Sequence, residues 1–335
     1  MLMRSKAAIA RLRAYKPPPF PTWDRLHVSR RAAVLVLLFA DRRGDLRVVI
    51  TMRAASLRNF SGHAAFPGGK ADSTHETPYQ IARREAWEEI GLPMDDAKIP
   101  KPFRIEPLCE LPCSLARTEI VARPCVAFLH SDDGLQPDGG RPSPTVDEGM
   151  MPRLDAKEVA AVFSAPFHNF LTTRDEQQSP SPRSHDDSEN GGSGGSSGSS
   201  NNEVAPPPGE WYDGYWSQWH GEPWRVHNFH VPVNNQKVTR PRRKKGEGED
   251  AAAALADELE EHEVQRFLVW GFTGRILVDT ARVAYAEEPA FEHNAHYGDE
   301  AIITRLEVDG QLPEKKRRAE VGLEATREVV NETKI

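Results

Sequence analysis

Residues 69–92, GKADSTHETPYQIARREAWEEIGL, constrain this chain more than any other segment. They specify a short helix from both ends. Thr77 is a good N-cap, Pro78 suits the first helical position, and Gln80 completes a Thr-x-x-Gln capping box. Gly91 stands where a left-handed glycine ends a helix. Tyr79, Ala82, Ala86 and Ile90 form a narrow apolar stripe. Beside it, at about 100° per residue, Glu85, Glu88 and Glu89 fall within roughly 100° of arc and converge on one point. Like charges at these spacings repel, and the C-terminal half of a helix disfavours anions. Local stability gains nothing from that arrangement, and a bound divalent cation would reverse its sign. Hard carboxylate oxygens suit Mg²⁺ or Mn²⁺, ions that also bind phosphates. Upstream, Phe66-Pro67-Gly68-Gly69 reads as a tight turn where a backbone carbonyl approaches such an ion, because glycine offers no side chain to block it.

These residues resemble the Nudix box, the signature of a family of pyrophosphatases acting on nucleoside diphosphates linked to another group. The match runs from Glu76 through Arg84-Glu85, Glu88-Glu89 and Gly91-Leu92, with one extra residue between Gly69 and Glu76. A second motif precedes it: Ile50-Thr51-Met52-Arg53-Ala54, then Arg58, Gly62 and Phe66-Pro67-Gly68-Gly69. That motif is similar to the signature of coenzyme A diphosphatases, the peroxisomal enzymes of fungi being the nearest type. Residues 270–277, WGFTGRIL, are similar to that subfamily's C-terminal element. The resemblance covers residues 30–172 and 222–292. It implies Glu85, Glu88, Glu89 and the Gly69 carbonyl as metal ligands for Mg²⁺ or Mn²⁺, with Glu85 accepting the proton from water. It implies that Arg84 orients the carboxylates by a salt bridge to Glu76. It implies substrate contacts from Arg53, Arg58, Gly62 and Phe66, the arginines being candidates for the 3′-phosphate or pyrophosphate. Glu158 is a candidate distal acid, against an ordinary helix-start glutamate. His63 is a candidate phosphate contact, against a turn-stabilising histidine.

The expected fold is α+β, an α/β/α sandwich with a mixed sheet, interrupted by low-complexity insertions. Residues 33–39 and 46–51 read as buried strands joined by a turn at 41–44, followed by strands at 105–111 and 119–129. Residues 157–163 begin a helix or turn. Residues 222–231 and 265–271 read as strands, and 275–286 as a helix. From 174 to 202 there is no aliphatic residue and no Phe, Tyr or Trp, and such a sequence cannot offset its ordering entropy. The expected organisation is therefore an N-terminal extension at 1–29 and a domain at 30–292. Disordered insertions at 174–209 and 234–263 interrupt that domain, and a tail at 293–335 follows it. Trp211, Tyr212, Tyr215, Trp216, Trp219 and Trp224 crowd one stretch. They read as a flap packed on the sheet, with a stacking surface for adenine or an acyl chain as the other reading.

A net charge of −7 disfavours a general nucleic-acid binder, and the basic run 240–245 reads as a solvated loop facing the acidic stretch 247–263. Three cysteines, Cys109, Cys113 and Cys125, suggest buried thiols in a reducing compartment, and they lack the partners of a zinc site. The apolar run 33–40 is too short to span a bilayer. The final residues are not a peroxisomal Ser-Lys-Leu type signal, so an intracellular, peroxisomal location is implied by resemblance alone, with cytoplasm or mitochondrion as alternatives. Residues 1–16, basic and without acids, read as a helix packed on the domain rather than a mitochondrial presequence.

The expected activity is metal-dependent hydrolysis of the pyrophosphate bond of coenzyme A and acyl-CoA to 3′,5′-ADP and (acyl-)4′-phosphopantetheine. The partner is thus a small-molecule substrate, with no nucleic acid. The alternative is a Nudix enzyme acting on an oxidised dNTP, NADH or a dinucleoside polyphosphate. A non-catalytic binding module and an RNA-binding protein are further alternatives, disfavoured by the intact carboxylate set and the net charge.

Overall fold

The computed structural model describes residues 2–53, 63–131, 145–151, 159–176, 210–233, 236, 238–240 and 266–314. Strand β1 (Arg31–Ala40) organises the molecule. Its alternate residues Ala33, Leu35, Leu37 and Phe39 enter one core, while Val36 and Leu38 enter another. A strand covered on both faces reads as a continuous apolar run, which is why RAAVLVLLFA lacks polar alternation.

Strand β2 (Leu46–Arg53) pairs antiparallel with β1, and the short strands β3 (Ala64–Ala65) and β4 (Gly68–Lys70) pair with β2 and β1. Next come β5 (Phe103–Glu110), β6 (Ser114–Leu115) and β7 (Val121–Ser131). β7 runs parallel to β1, and β5 and β6 pair antiparallel with β7, so the sheet is mixed. β8 (Val159–Pro166) completes it beside β2. A separate antiparallel sheet has the order β11-β10-β9, from β9 (Tyr212–Trp219), β10 (Glu222–Pro232) and β11 (Arg266–Trp270).

Helices close both faces. α1 (Met3–Ala14) buries Ala8, Ile9 and Leu12 against β5 and a later helix. α2 (Pro78–Ile90) lies on the other face with Ile81, Ala82, Ala86 and Ile90 fully buried. α3 (Gly271–Tyr285) packs against β10 and α1, so closely that a Cβ on Gly274 would come within 3.1 Å of the His227 carbonyl. α4 (Glu300–Val308) buries Ile302, Ile303 and Leu306. The α+β sandwich with a mixed sheet is the architecture expected.

Four local expectations shift. Residues 157–163 are expected as the start of a helix or turn; the described part is β8. Its contiguous run Val159-Ala-Ala-Val-Phe163 has no periodicity to distinguish helix from strand, and the ladder to β2 decides. The expected tail from 293 is packed as far as Leu312: Asn294 accepts hydrogen bonds from Arg275 (2.6 Å) and the Arg225 amide (2.9 Å), and Asp299 accepts from the Leu115 amide (2.9 Å). Within the expected insertions, Asp175 is buried against Asn169, and Thr239 bridges to Val162. α3 begins at Gly271, four residues before the expected 275. Residues 177–209, 234–235, 237 and 241–263 of the two insertions lie outside the described residues. The cysteines are free, with Cys113 and Cys125 buried; burial pushes the Cys109 thiol up to about 12.

Candidate active site

Helix α2 holds the acidic residues, and its ends form as the sequence requires. The Thr77 hydroxyl accepts from the Gln80 amide at 3.2 Å while Gln80 returns the bond to the Thr77 amide at 2.9 Å. Gly91 closes the helix at φ 69°. The arc of carboxylates faces β4. Gly68 donates its amide to Glu89 at 3.1 Å, and a methyl group on Gly69 would sit 2.4 Å from a Glu85 oxygen. The backbone of Gly69 therefore touches Glu85 directly. The extra residue between Gly69 and Glu76 is absorbed in the turn before the helix, where Glu76 accepts from the Asp72 amide at 2.6 Å and the Ser73 amide at 3.3 Å.

Arg84 binds this group together. Its guanidinium donates to Glu76 and Glu85, both at 2.9 Å, to Glu88 at 3.5 Å and to the Lys70 carbonyl at 2.7 Å. The salt bridge to Glu76 expected from the sequence is present. Burial raises the Glu76 carboxyl, but Arg84 and the two amides outweigh it and hold the group below its usual range. Glu85 behaves oppositely: burial raises its proton affinity, and the neighbouring Glu88 adds to that against the opposing charge of Arg84. Among the described residues no three His, Cys, Asp or Glu side chains are gathered into one closed cluster. Glu85 and Glu88 turn towards Arg84, and Glu89 towards Gly68.

The donor set nonetheless fits a hard cation. Four carboxylates, Asp72, Glu76, Glu85 and Glu88, surround one guanidinium, and Glu89 sits beside them on the Gly68 amide, leaving excess negative charge and oxygen donors. Gly69 leaves its backbone open to Glu85.

On the opposite face of the main sheet lies a cavity of about 520 Å³. Ala32 and Val34 form its floor, turned away from α2 by the two-residue period of β1. Gly68, Gly69 and Lys70 line it too, so β4 joins the cavity to the carboxylates. Arg53 and Phe66, expected substrate contacts, line it, whereas Arg58, Gly62 and the candidate acid Glu158 lie outside the described residues. His63 also lines it, with its ring edge-on to Trp270 at 5.2 Å; burial first, then Arg53, hold this imidazole below its ordinary value.

The second sheet forms the far wall. Tyr215 and Trp219 on β9 and Trp224 on β10 share the face that lines the cavity. Trp216 lies on the other face, donating to Glu292 at 2.9 Å, and Trp211 is buried, donating to the Asn169 carbonyl at 2.9 Å. The aromatic stretch is thus both packing and cavity wall, divided by strand alternation. Lys70, Arg117 and Thr273 are cavity residues that sequence reasoning missed. Thr273 lay inside the quoted WGFTGRIL element; Arg117 sits in a short turn with no motif around it.

A family model described as the NUDIX domain matches residues 29–175. Peroxisomal coenzyme A diphosphatase 1 of Saccharomyces cerevisiae is 29% identical over 292 residues, covering 84% of this chain and 78% of that protein. Nudix hydrolase 15, a mitochondrial protein of Arabidopsis thaliana, is 26% identical over 262 residues, covering 78% of this chain and 61% of the relative. A peroxisomal coenzyme A diphosphatase of Mus musculus is 31% identical over 143 residues, 43% of this chain and 50% of the relative. With its box intact on α2 and a family match spanning the main sheet, this chain carries a NUDIX domain at residues 29–175 and is similar to Nudix hydrolases along much of its remaining length.

Proposed function

We propose that this protein hydrolyses the pyrophosphate bond of coenzyme A and acyl-CoA, releasing 3′,5′-ADP and (acyl-)4′-phosphopantetheine. The observation that carries the reading is the junction at Gly68–Lys70, where one short strand borders both the carboxylates of α2 and the cavity. A substrate in the cavity therefore presents its diphosphate at the acidic helix.

Glu85, Glu88, Glu89 and the Gly69 carbonyl would hold Mg²⁺ or Mn²⁺. Such an ion supplies charge neutralisation for the phosphate oxygens and acidifies bound water. The chain's own groups do the rest. Arg84 fixes the directions of Glu85 and Glu88. Glu85, whose proton affinity is raised by burial, is suited to take the proton of the attacking water. The aromatic wall of Tyr215, Trp219 and Trp224 gives the adenine or the acyl-pantetheine arm a surface to lie against. Peroxisomal relatives in two organisms support a peroxisomal location.

The test incubates the protein with CoA and Mn²⁺ and resolves the products by chromatography. 3′,5′-ADP and 4′-phosphopantetheine are expected. Turnover of another nucleotide but not CoA refutes the substrate and leaves the hydrolase chemistry standing. The double variant Glu88→Gln, Glu89→Gln is expected to lose both turnover and calorimetric Mn²⁺ uptake while remaining folded.

A further inference from the structure

The charged side chains lining the cavity are all cationic: Arg53, Lys70 and Arg117, with no aspartate or glutamate among the lining residues. That is unusual in a chain of net charge −7. Other arginines here are neutralised, Arg30 by Glu119, Arg123 by Glu300 and Arg282 by Glu288. Lys70 and Arg117 are exposed and have no side-chain partner among the described residues, and the buried Nε of Arg53 has none either. Three uncompensated cations around a concave, largely apolar space mark a site for a ligand with more than one anionic group.

Their placement separates two anion positions. Ala32 pairs with Lys70 on one side and with Ala122 on the other. Lys70 and the start of β7 thus stand two strand spacings apart, roughly 10 Å. Lys70 is next to the carboxylate group. Arg117 is on the β7 side, in the turn closed by the Ala116 amide to the Ile120 carbonyl at 2.9 Å. Glu119, the acid nearest in that turn, is engaged by Arg30 through both its carboxylate and its carbonyl, at 3.2 and 3.1 Å. It leaves Arg117 free to face the cavity. Side chains as long as lysine and arginine, reaching inward from backbones that far apart, can hold the two closer-set phosphate groups on the 5′ and 3′ oxygens of one ribose.

We propose that Arg117 is a specificity-determining residue that binds a phosphomonoester on the substrate, distinct from the diphosphate being cleaved; on the reading above, this is the 3′-phosphate of coenzyme A. The inference rests on that reading, and the test separates the two. KM and kcat are measured for CoA and 3′-dephospho-CoA with wild type, Arg117→Gln and Arg117→Lys. Wild type is expected to favour CoA through KM by about tenfold, the size of one charge-assisted hydrogen bond at a partly solvated site. In Arg117→Gln the ratio of the two KM values collapses towards one, with kcat for CoA retained; Arg117→Lys restores part of the ratio. In the unaltered protein, 3′,5′-ADP is expected to compete about tenfold better than 5′-AMP, and 0.5 M salt to narrow that gap. CoA turnover with an unchanged KM ratio in Arg117→Gln, or equal competition by the two nucleotides, overturns the assignment and leaves the CoA reading intact. Failure to hydrolyse either CoA or its dephospho form overturns both.

Discussion

One methyl group added at Gly68 and one added at Gly69 should have opposite consequences. At Gly68 the new Cβ would lie 2.5 Å from the Ala33 carbonyl oxygen and 2.7 Å from the Val34 Cα. Both are backbone atoms of the central strand and cannot yield. β4 must move, and overpacking of this kind costs about 1–3 kcal/mol. For a folded body of this size that corresponds to roughly 2–12 °C in Tm. At Gly69 the obstacle is the Glu85 carboxylate, 2.4 Å away, the free end of a flexible side chain. It can swing aside, so Gly69→Ala should leave Tm within about 2 °C, an exposed-site effect of about 0.5 kcal/mol. Activity should respond the other way. A reacting group displaced by about 1 Å can cost on the order of a hundredfold in rate, so Gly69→Ala should be folded and nearly inactive. Thermal unfolding without divalent ions, with initial rates on the substrate identified by chromatography, reads both quantities. Gly69→Ala with wild-type turnover would refute the placement of Glu85 against this backbone. Gly68→Ala with wild-type Tm would refute the packing of β4 on β1.

Two further outcomes follow from the same structure. Arg84→Gln leaves Glu76, Glu85 and Glu88 without their shared cation and should lower the ion-free stability by about 1–3 kcal/mol; kcat should fall more than KM rises, and Arg84→Lys should fail to rescue it because one ammonium cannot reproduce the fork. Far from this site, His168 hydrogen-bonds Glu176 at 2.8 Å and Glu287 at 3.0 Å and contacts Arg4 of α1. Burial opposes its protonation, but the two glutamates outweigh burial and raise its pKa above 6.5. The folded protein thus binds this proton more tightly than the unfolded chain, and the resulting stability is complete below about pH 6.5 and lost as pH rises through the raised value. Tm should decline more steeply over that interval in wild type than in His168→Gln; equal slopes would refute the pairing.

The helix carrying the box was legible residue by residue, because every device that specifies it is local: the Thr77 cap, Pro78, the Gln80 return bond and Gly91. Even so, Ile81, outside the narrow apolar stripe, is fully buried, because the helix buries a wider face than that stripe. Strands β1 and β2 were legible from apolar runs bounded by turn residues. β8 was not, since a short run such as Val159–Phe163 reads alike in both states until a partner strand claims it. The packed segment 293–312 escaped notice because its polar residues are satisfied by distant groups, as Asn294 is by Arg275 and Arg225.

From the residues alone came the chemistry: capped helix, convergent carboxylates, flanking glycines and an arginine able to tie them. All of these act within about 25 positions of chain, where backbone geometry leaves little freedom. The tertiary structure decided what the carboxylates face and what surrounds the substrate. Gly69 meets Glu85 only because β4 is laid along β1. Arg117, Lys70 and the indoles of Trp219 and Trp224 share one cavity only because two sheets, separated by a long stretch of sequence, close upon each other. Strand order and the pairing of distant segments set those neighbours, and such contacts leave no periodic trace along the chain.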